Sequence, residues 1–403
     1  MKKVFYALIV VIPLIFIYDS SLRKNSSSFR DAPADLPNME ELKNLIPQTQ
    51  NLPTPSLNKE EDYNSSQEIP LTMGPSAAQK AKMLAHNGKK SKGLKLEGLE
   101  PIKAIYRPFA DYEKTGYLIV TSEFRFQSKQ AKMAAAQILP EDGKLIVITN
   151  PNRSWEKDEA LAAFTQVIPR DRIKFAETIQ APRAFWARDA MPVPVISKEN
   201  GSFAVIDALY YHEFNQDSMI AGMFGAKLEK HDYYFEGGNF MANDKGVCIM
   251  VNHGQHTLIP DSVFLRYYGC EKMIRLPFVD GIGHIDEHVR FVSADTVLTD
   301  LREYKDLLEK EGLKAKLLPK PSGPYETYVN SLIIEGKAVV PVFNRQTDAE
   351  ALRIYEEAGL KPQGANSSSL SNSGQGSVHC ITMTYPPVPL KELSKALNLR
   401  IID

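Results

Sequence analysis

The sequence predicts an α/β fold: a closed ring of about five units, each a strand, a turn, a second strand and a helix. Between Pro101 and Asp403 this pattern returns at intervals of about 48, 49 and 42 residues. Helix-forming stretches recur inside the repeats, whereas a blade of an all-β propeller has none. Aromatic residues confine the fold to this part of the chain. From Asp31 to Glu100 the only one is Tyr63, among Pro33, Pro37, Pro47, Pro53, Pro55, Pro70 and Pro75. Such a stretch buries too little apolar surface to offset its ordering entropy.

The chain has 403 residues with a net charge of -1, 43% hydrophobic and 24% charged residues. These values exclude wholesale disorder and a multi-span membrane protein. The balanced charge argues against a nucleic-acid partner, which usually meets a basic excess.

The segments follow in order. Lys2 and Lys3 precede an apolar run over residues 4–18. A basic start and an apolar middle form the layout of an export signal. The run is short for a spanning helix and Pro13 interrupts it. Residues 1–24 therefore read as a signal peptide or a membrane anchor. The expected location is outside the cytoplasm: periplasmic, membrane-anchored or secreted. Residues 25–100 read as a disordered linker rich in Pro, Ser, Asn and Lys, with a transient helix near Ala78. Its lysines Lys80, Lys82, Lys89, Lys90, Lys92 and Lys95 read as a solvated run.

Residues 101–403 form the expected catalytic domain. Its first copy opens at 117–120, followed by a helix-prone stretch over 128–139. Hairpins follow at 192–206 and 239–251. A hairpin over 289–299 leads into an amphipathic helix over 301–310 that stops at Gly312. A hairpin over 331–343 leads to a capping box, Thr347 to Glu350, and a helix ending before Gly359.

Chemistry gathers at the starts of the repeats. Trp186-Ala-Arg-Asp189, Glu236-Gly-Gly-Asn239, Gly283-His-Ile-Asp286, Asn330 and Gly376-Ser-Val-His-Cys380 each open one. A ring would bring these distant segments to one axis, as catalytic sites are commonly assembled. A deprotonated Cys380 is a strong nucleophile and His284 can shuttle protons. Asp189, Asp286 and Glu236 would make a negative pocket suited to a guanidinium, which stays charged and pairs with carboxylates through its planar fork. Singly, each residue has a plainer reading. Cys380 could be a core thiol, Asp189 a salt-bridge partner and Gly237-Gly238 a turn. Cys248 reads as a core residue that would pair with Cys270 in an exported domain, which leaves Cys380 as the odd thiol. His379, next to Cys380, would face away from it. The joint occurrence at successive repeat starts favours a site.

In their order, Trp-x-Arg-Asp, Glu-Gly-Gly-Asn, Gly-His-Ile-Asp and Gly-x-x-His-Cys-Ile-Thr resemble the agmatine deiminase and bacterial (Porphyromonas-type) peptidylarginine deiminase family. That family is a branch of the guanidino-group-modifying enzymes. The resemblance spans roughly residues 107–397. It implies a pentein fold, a five-bladed propeller of ββαβ units. It implies a hydrolase acting on C–N bonds of linear amidines, with Cys380 as nucleophile and His284 as general acid/base. Asp189 and Asp286 would grip the guanidinium, Trp186 would pack on the substrate stem, and Glu236, Asn330 and Asn239 would bind or support substrate. No metal or organic cofactor is implied.

The sequence departs from the family pattern in places. Arg188-Asp189 continues as Ala190-Met191-Pro192, without the usual Gly, and the approach to Cys380 is less glycine-rich. The region from Ala208 to Phe214 carries no Arg that would hold a C-terminal carboxylate. Arginine within a protein or peptide is thus the expected substrate. Agmatine is the alternative, with Glu213 a candidate for its amine. Two readings come from other classes. One is a metal hydrolase on His284, Asp286 and His288, facing one side of a strand with His253 and His256 near. The other is a non-catalytic binding ring.

Overall fold

The computed structural model describes residues 74–93, 104–388 and 401–402. The expected signal or anchor at 1–24 lies outside the described residues, as does most of the expected linker. Among the described residues no helix is long and apolar enough to cross a membrane. One part of the linker expectation is corrected. Residues Ala77–Gly93 form a helix, here called α1, with Met83 and Asn87 fully buried against the catalytic domain. Scattered apolar residues in a lysine-rich run conceal this, because a single buried face suffices to dock a helix.

Among the described residues five sheets carry the architecture, and the same unit builds each. In the sheet of Leu332–Ile334, Lys337–Val342 and Lys361–Asn366, the first pair is antiparallel and the second parallel. The helix Asp348–Glu357 crosses between the parallel strands. Val289–Phe291, Thr296–Thr299 and Lys314–Leu317 repeat it around the helix Arg302–Lys310. Met241–Ala242, Val247–Asn252 and Lys272–Pro277 repeat it with a run of short helical turns. Val193–Ser197, Phe203–Leu209 and Lys227–Tyr234 do so around Asp217–Phe224, with Tyr106–Pro108 added at the edge. The fifth sheet draws on distant parts of the chain: Met383–Tyr385 pairs with Tyr117–Thr121, which runs parallel to Lys144–Thr149. Ile173–Glu177 and Ile401–Ile402 extend it.

Local chemistry accounts for the units. Val and Ile fill the hairpin strands, whose central residues are buried on both faces. Glu335 and Gly336 both adopt positive φ, as a two-residue hairpin turn with the twist of its strands requires. The helix Arg302–Lys310 buries Tyr304 and Leu308, four residues apart on one face. The strand after each helix escaped the repeat reading, because segments such as Lys314–Leu317 are short and half polar. The expected capping box also differs. The Thr347 hydroxyl pairs with Tyr328, and Asp348 receives the N–H groups of Phe343 and Arg345 instead. Cys248 and Cys270 form a disulfide, which leaves Cys380 as the free thiol.

Candidate active site

The repeat starts converge. Cys380, on the turn before Met383–Tyr385, is fully buried. Its Sγ lies 3.1 Å from Asn330 Nδ2 and 3.6 Å from Asp286 Oδ2. Asn330 spends its amide on the turn: Oδ1 accepts the N–H of His379 and of Cys380, and Nδ2 also donates to the Asp286 carbonyl. It therefore positions the thiol rather than offering a free amide to substrate.

Asp189 sits on a single helical turn, Ala187–Ala190, and its Oδ1 accepts the Gly238 N–H at 2.8 Å. His284 Nδ1 stands 3.7 Å from the same oxygen. The Gly-Gly pair is more than a turn. A methyl on Gly238 would lie 2.7 Å from His284 Nδ1, 2.8 Å from Asp189 Oδ1 and 3.3 Å from Asp286 Oδ1. A methyl on Gly237 would lie 2.2 Å from the Arg188 carbonyl oxygen. Only bare backbone fits between these groups.

Among the described residues both aspartates keep one oxygen without a partner: Asp189 Oδ2 and Asp286 Oδ1. Their electrostatics differ. Burial, with Asp286 and Glu236 close by, pushes Asp189 well above the usual carboxylate range. Burial also works against charge on Asp286, but the hydrogen bond and charge of His379, with His284 and Arg290, hold its pKa below the ordinary value. Burial and the charges of Asp286 and Asp189 raise the Cys380 thiol well above its usual pKa.

Behind Asp286 lies a network that sequence reading missed. His379 places Nδ1 2.7 Å from Asp286 Oδ2 and Nε2 2.9 Å from Asp111 Oδ2. Asp111 also meets Arg188 at 3.2 Å and Arg290 at 2.9 Å. Against its burial, Arg188, His379 and Arg290 hold Asp111 well below the usual range. His379 thus sits between two carboxylates, and the Asp286 oxygen it meets is the one that faces the Cys380 thiol. Arg188, inside the Trp-x-Arg-Asp motif, was visible in the sequence; Asp111 and Arg290 carry no motif that would mark them.

Three further expected residues have partners within the protein. Asn239 serves structure rather than substrate. It joins Val251 N and O, Ile285 N and His256 Nδ1, so its amide is fully committed. Glu236 gives one oxygen to His256 and both to Gln255. Those partners outweigh burial and lower its pKa. Trp186 is buried with Cys380 in one apolar cluster, stacked on Phe126 and edge-on to Phe185. Glu213 is exposed, 3.5 Å from Arg183.

The metal reading fails on geometry. Residues Ile285–Glu287 form a helical turn, not a strand, so His284, Asp286 and His288 do not share a face. His288 instead bridges Asp280 at 3.1 Å and Asp300 at 3.0 Å. Among the described residues no group of three His, Cys, Asp or Glu is arranged to hold a metal ion.

Comparison with known proteins agrees with this geometry. A family model described as Porphyromonas-type peptidyl-arginine deiminase matches residues 121–386. A Selenomonas ruminantium protein named for agmatine deiminase is 24% identical over 281 residues, 50% of this chain and 74% of the relative. Among solved structures, C. jejuni agmatine deiminase superposes with a TM-score of 0.59 at 20% identity, covering 74% of this chain and all of that one. Agmatine deiminase of Enterococcus faecalis gives 0.58 at 18% identity, covering 73% and 99%. These structures share the chain's mixed α/β fold.

Two outcomes follow from the buried polar groups. Asn239→Ala should lower stability by about 3 kcal/mol, because it strands several buried partners at once; urea unfolding would measure it. His288 has its pKa raised to about 10: burial opposes the charge, but Asp280 and Asp300 outweigh it. Its contribution is therefore full below about pH 6.5, the unfolded value, and is lost as the pH rises toward the folded one. Urea unfolding at intervals across that range should show stability falling, and His288→Gln should flatten the fall.

Proposed function

As a member of the Porphyromonas-type peptidyl-arginine deiminase family, this chain is a hydrolase of amidino C–N bonds, and we propose that it deiminates arginine held in peptides or proteins. The observation that carries the chemistry is a buried thiol beside two carboxylates, each with one oxygen free. A guanidinium laid between Asp189 Oδ2 and Asp286 Oδ1 would satisfy both and turn its central carbon to Cys380.

In the reaction Cys380 gives its proton to His284 as its sulfur attacks that carbon, and a tetrahedral adduct forms. The adduct collapses with loss of ammonia, which His284 protonates as it leaves. Water, deprotonated by His284, then attacks the thiouronium carbon and expels the thiolate, leaving a ureido group. The negative surroundings that keep Cys380 protonated in the free protein are offset by the substrate's own positive charge. Substrate thus helps to create its nucleophile.

Peptide or protein arginine is supported by the family description and by the missing arginine after Phe203–Leu209 that a C-terminal carboxylate would need. The disulfide Cys248–Cys270 supports action outside the reducing cytosol, in line with the basic and apolar start of the chain. Five sheets of one design, with Met383–Tyr385 paired back to Tyr117–Thr121, support a five-bladed ring around this site. Agmatine is the second reading, favoured by the names of the similar proteins.

Release of ammonia and ureido product from an internal-arginine peptide, agmatine and free arginine tests the reading. Cys380→Ser should lower kcat by at least about a thousandfold with the fold retained, and Asp286→Asn by about a hundredfold or more. Normal turnover by Cys380→Ser would sink the thiol mechanism. In the free protein, alkylation of Cys380 by iodoacetamide should stay slow at neutral pH and rise only well above the range of an ordinary thiol. A saturating guanidinium salt should move that rise to lower pH. An ordinary thiol profile without any ligand would contradict the protonated resting state.

A further inference from the structure

Asp111 lies before the stretch that the family model matches and belongs to none of the motifs at the repeat starts. Its neighbours in the chain fix the turn that presents it. The Glu113 carboxylate receives the Ala110 N–H at 2.8 Å and pairs with Arg107 at 2.8 Å. The Tyr112 hydroxyl donates to Asp244 at 2.6 Å. The Asp111 side chain between them is only 11% exposed and is committed to the interior.

Four groups meet it there. Oδ1 accepts from Arg188 at 3.2 Å and from the Thr384 hydroxyl at 3.4 Å. Oδ2 accepts from Arg290 at 2.9 Å and faces His379 Nε2 at 2.9 Å. Three of these groups stand beside site residues. Arg188 precedes Asp189, and its backbone N–H donates to the Cys380 carbonyl at 3.0 Å. Arg290 is on the strand that follows the turn of Asp286, and its Nε donates to the carbonyl of Val329, next to Asn330, at 3.3 Å. His379 precedes Cys380, and its other ring nitrogen meets Asp286 Oδ2 at 2.7 Å. One carboxylate thus joins the segments that carry Asp189, Asp286, Asn330 and Cys380.

The imidazole ring is rigid, so a group that fixes Nε2 at one end also places Nδ1 at the other. Nδ1 meets one oxygen of Asp286, and the second oxygen is the one left for a guanidinium. The two arginines hold Asp111 ionised, so at Nε2 the carboxylate accepts and the ring donates. Those arginines already neutralise Asp111. A knot that served stability alone would not need the histidine as well.

We infer that Asp111 is a positioning residue for the reaction: it holds the His379 ring, and the ring in turn aims Asp286 at the guanidinium. This rests on the reading of the Cys380 site as a guanidinium deiminase.

A double-mutant cycle separates positioning from stability alone. It compares kcat/KM for an internal-arginine peptide and for agmatine in the full chain, in Asp111→Asn, in Asp286→Asn and in the double variant, with urea unfolding of each. Asp111→Asn should lower kcat/KM by about a hundredfold, the cost of a gripping group misplaced by about 1 Å. On the Asp286→Asn background the same change should cost less than about threefold, because the carboxylate that it aims is already lost. Equal losses on both backgrounds, or unaltered kcat/KM in folded Asp111→Asn, overturn the positioning role and leave the deiminase reading intact. No turnover of either substrate by the unaltered chain rejects the deiminase reading, and the positioning role with it. Should Asp111→Asn fail to fold, nitrogen NMR of the histidine rings in the unaltered chain decides. His379 Nε2 should carry a proton at neutral pH, and a saturating guanidinium salt should move the His379 Nδ1 signal. A bare Nε2, or an Nδ1 signal that ignores the salt, overturns the proposal.

Discussion

The structure is organised around one electrostatic burden: three carboxylates and a thiol buried within reach of one another. Two like charges a few ångströms apart repel by about 4 kcal/mol even at an effective dielectric of about 20. Removing each carboxylate from water costs more still. The surrounding residues answer that burden. Asp286 is offset by His379 and Glu236 by His256 and Gln255, and behind them Asp111, a fourth carboxylate, is held by Arg188 and Arg290. Asp189 has no such partner on its second oxygen, and its pKa rises. The site is left short of positive charge where the substrate supplies it.

The fold was legible in the sequence to the extent that its hairpins are. Val-Ile runs broken by Asn-Asp-Lys-Gly or Glu-Gly report a hairpin directly, and the amphipathic spacing of Tyr304 and Leu308 reports the helix that follows. The parallel strand after the helix was not legible. Its residues, such as Lys361–Asn366, lie at a sheet edge and are partly exposed, so they lack an apolar run. The helix α1 escaped for a related reason. Two buried side chains, Met83 and Asn87, dock it, and one of them is polar. Composition averages over such a segment and reads its lysines.

The site was legible where residues stand in motifs. Cys380, His284, Asp189 and Asp286 come together as their positions at the repeat starts imply. Asn330 comes with them but acts on the thiol, because its amide is drawn to the backbone of the Cys380 turn. Asn239 and Glu236 illustrate the limit of a motif. A polar residue beside a site either faces substrate or holds the neighbouring segment, and only its partners distinguish the two. Asp111 was invisible because a lone Asp in a loop is ordinary. Its importance comes from two arginines and a histidine that reach it from far along the chain.

The two gripping aspartates differ in a way that bears on the order of events. Asp286 is tied on one oxygen to His379, and both ring nitrogens of His379 face carboxylate oxygens. Burial, with the charges of Arg188 and Arg290, lowers the pKa of His379 itself. Against the burial of Asp286, His379, His284 and Arg290 together still hold that carboxyl below its ordinary pKa and favour its charged form before substrate arrives. Asp189 receives a single backbone N–H and sits with Asp286 and Glu236 as like-charged neighbours, which favours its neutral form. An arriving guanidinium thus meets one fixed negative charge at Asp286 and a second carboxyl that ionises as the cation settles. Once its proton has left to solvent, the Asp189 carboxylate, whose Oδ1 stands 3.7 Å from His284 Nδ1, steadies the imidazolium formed when His284 takes the thiol proton. The asymmetry makes Asp286 the anchor and Asp189 the partner whose charge appears with the substrate.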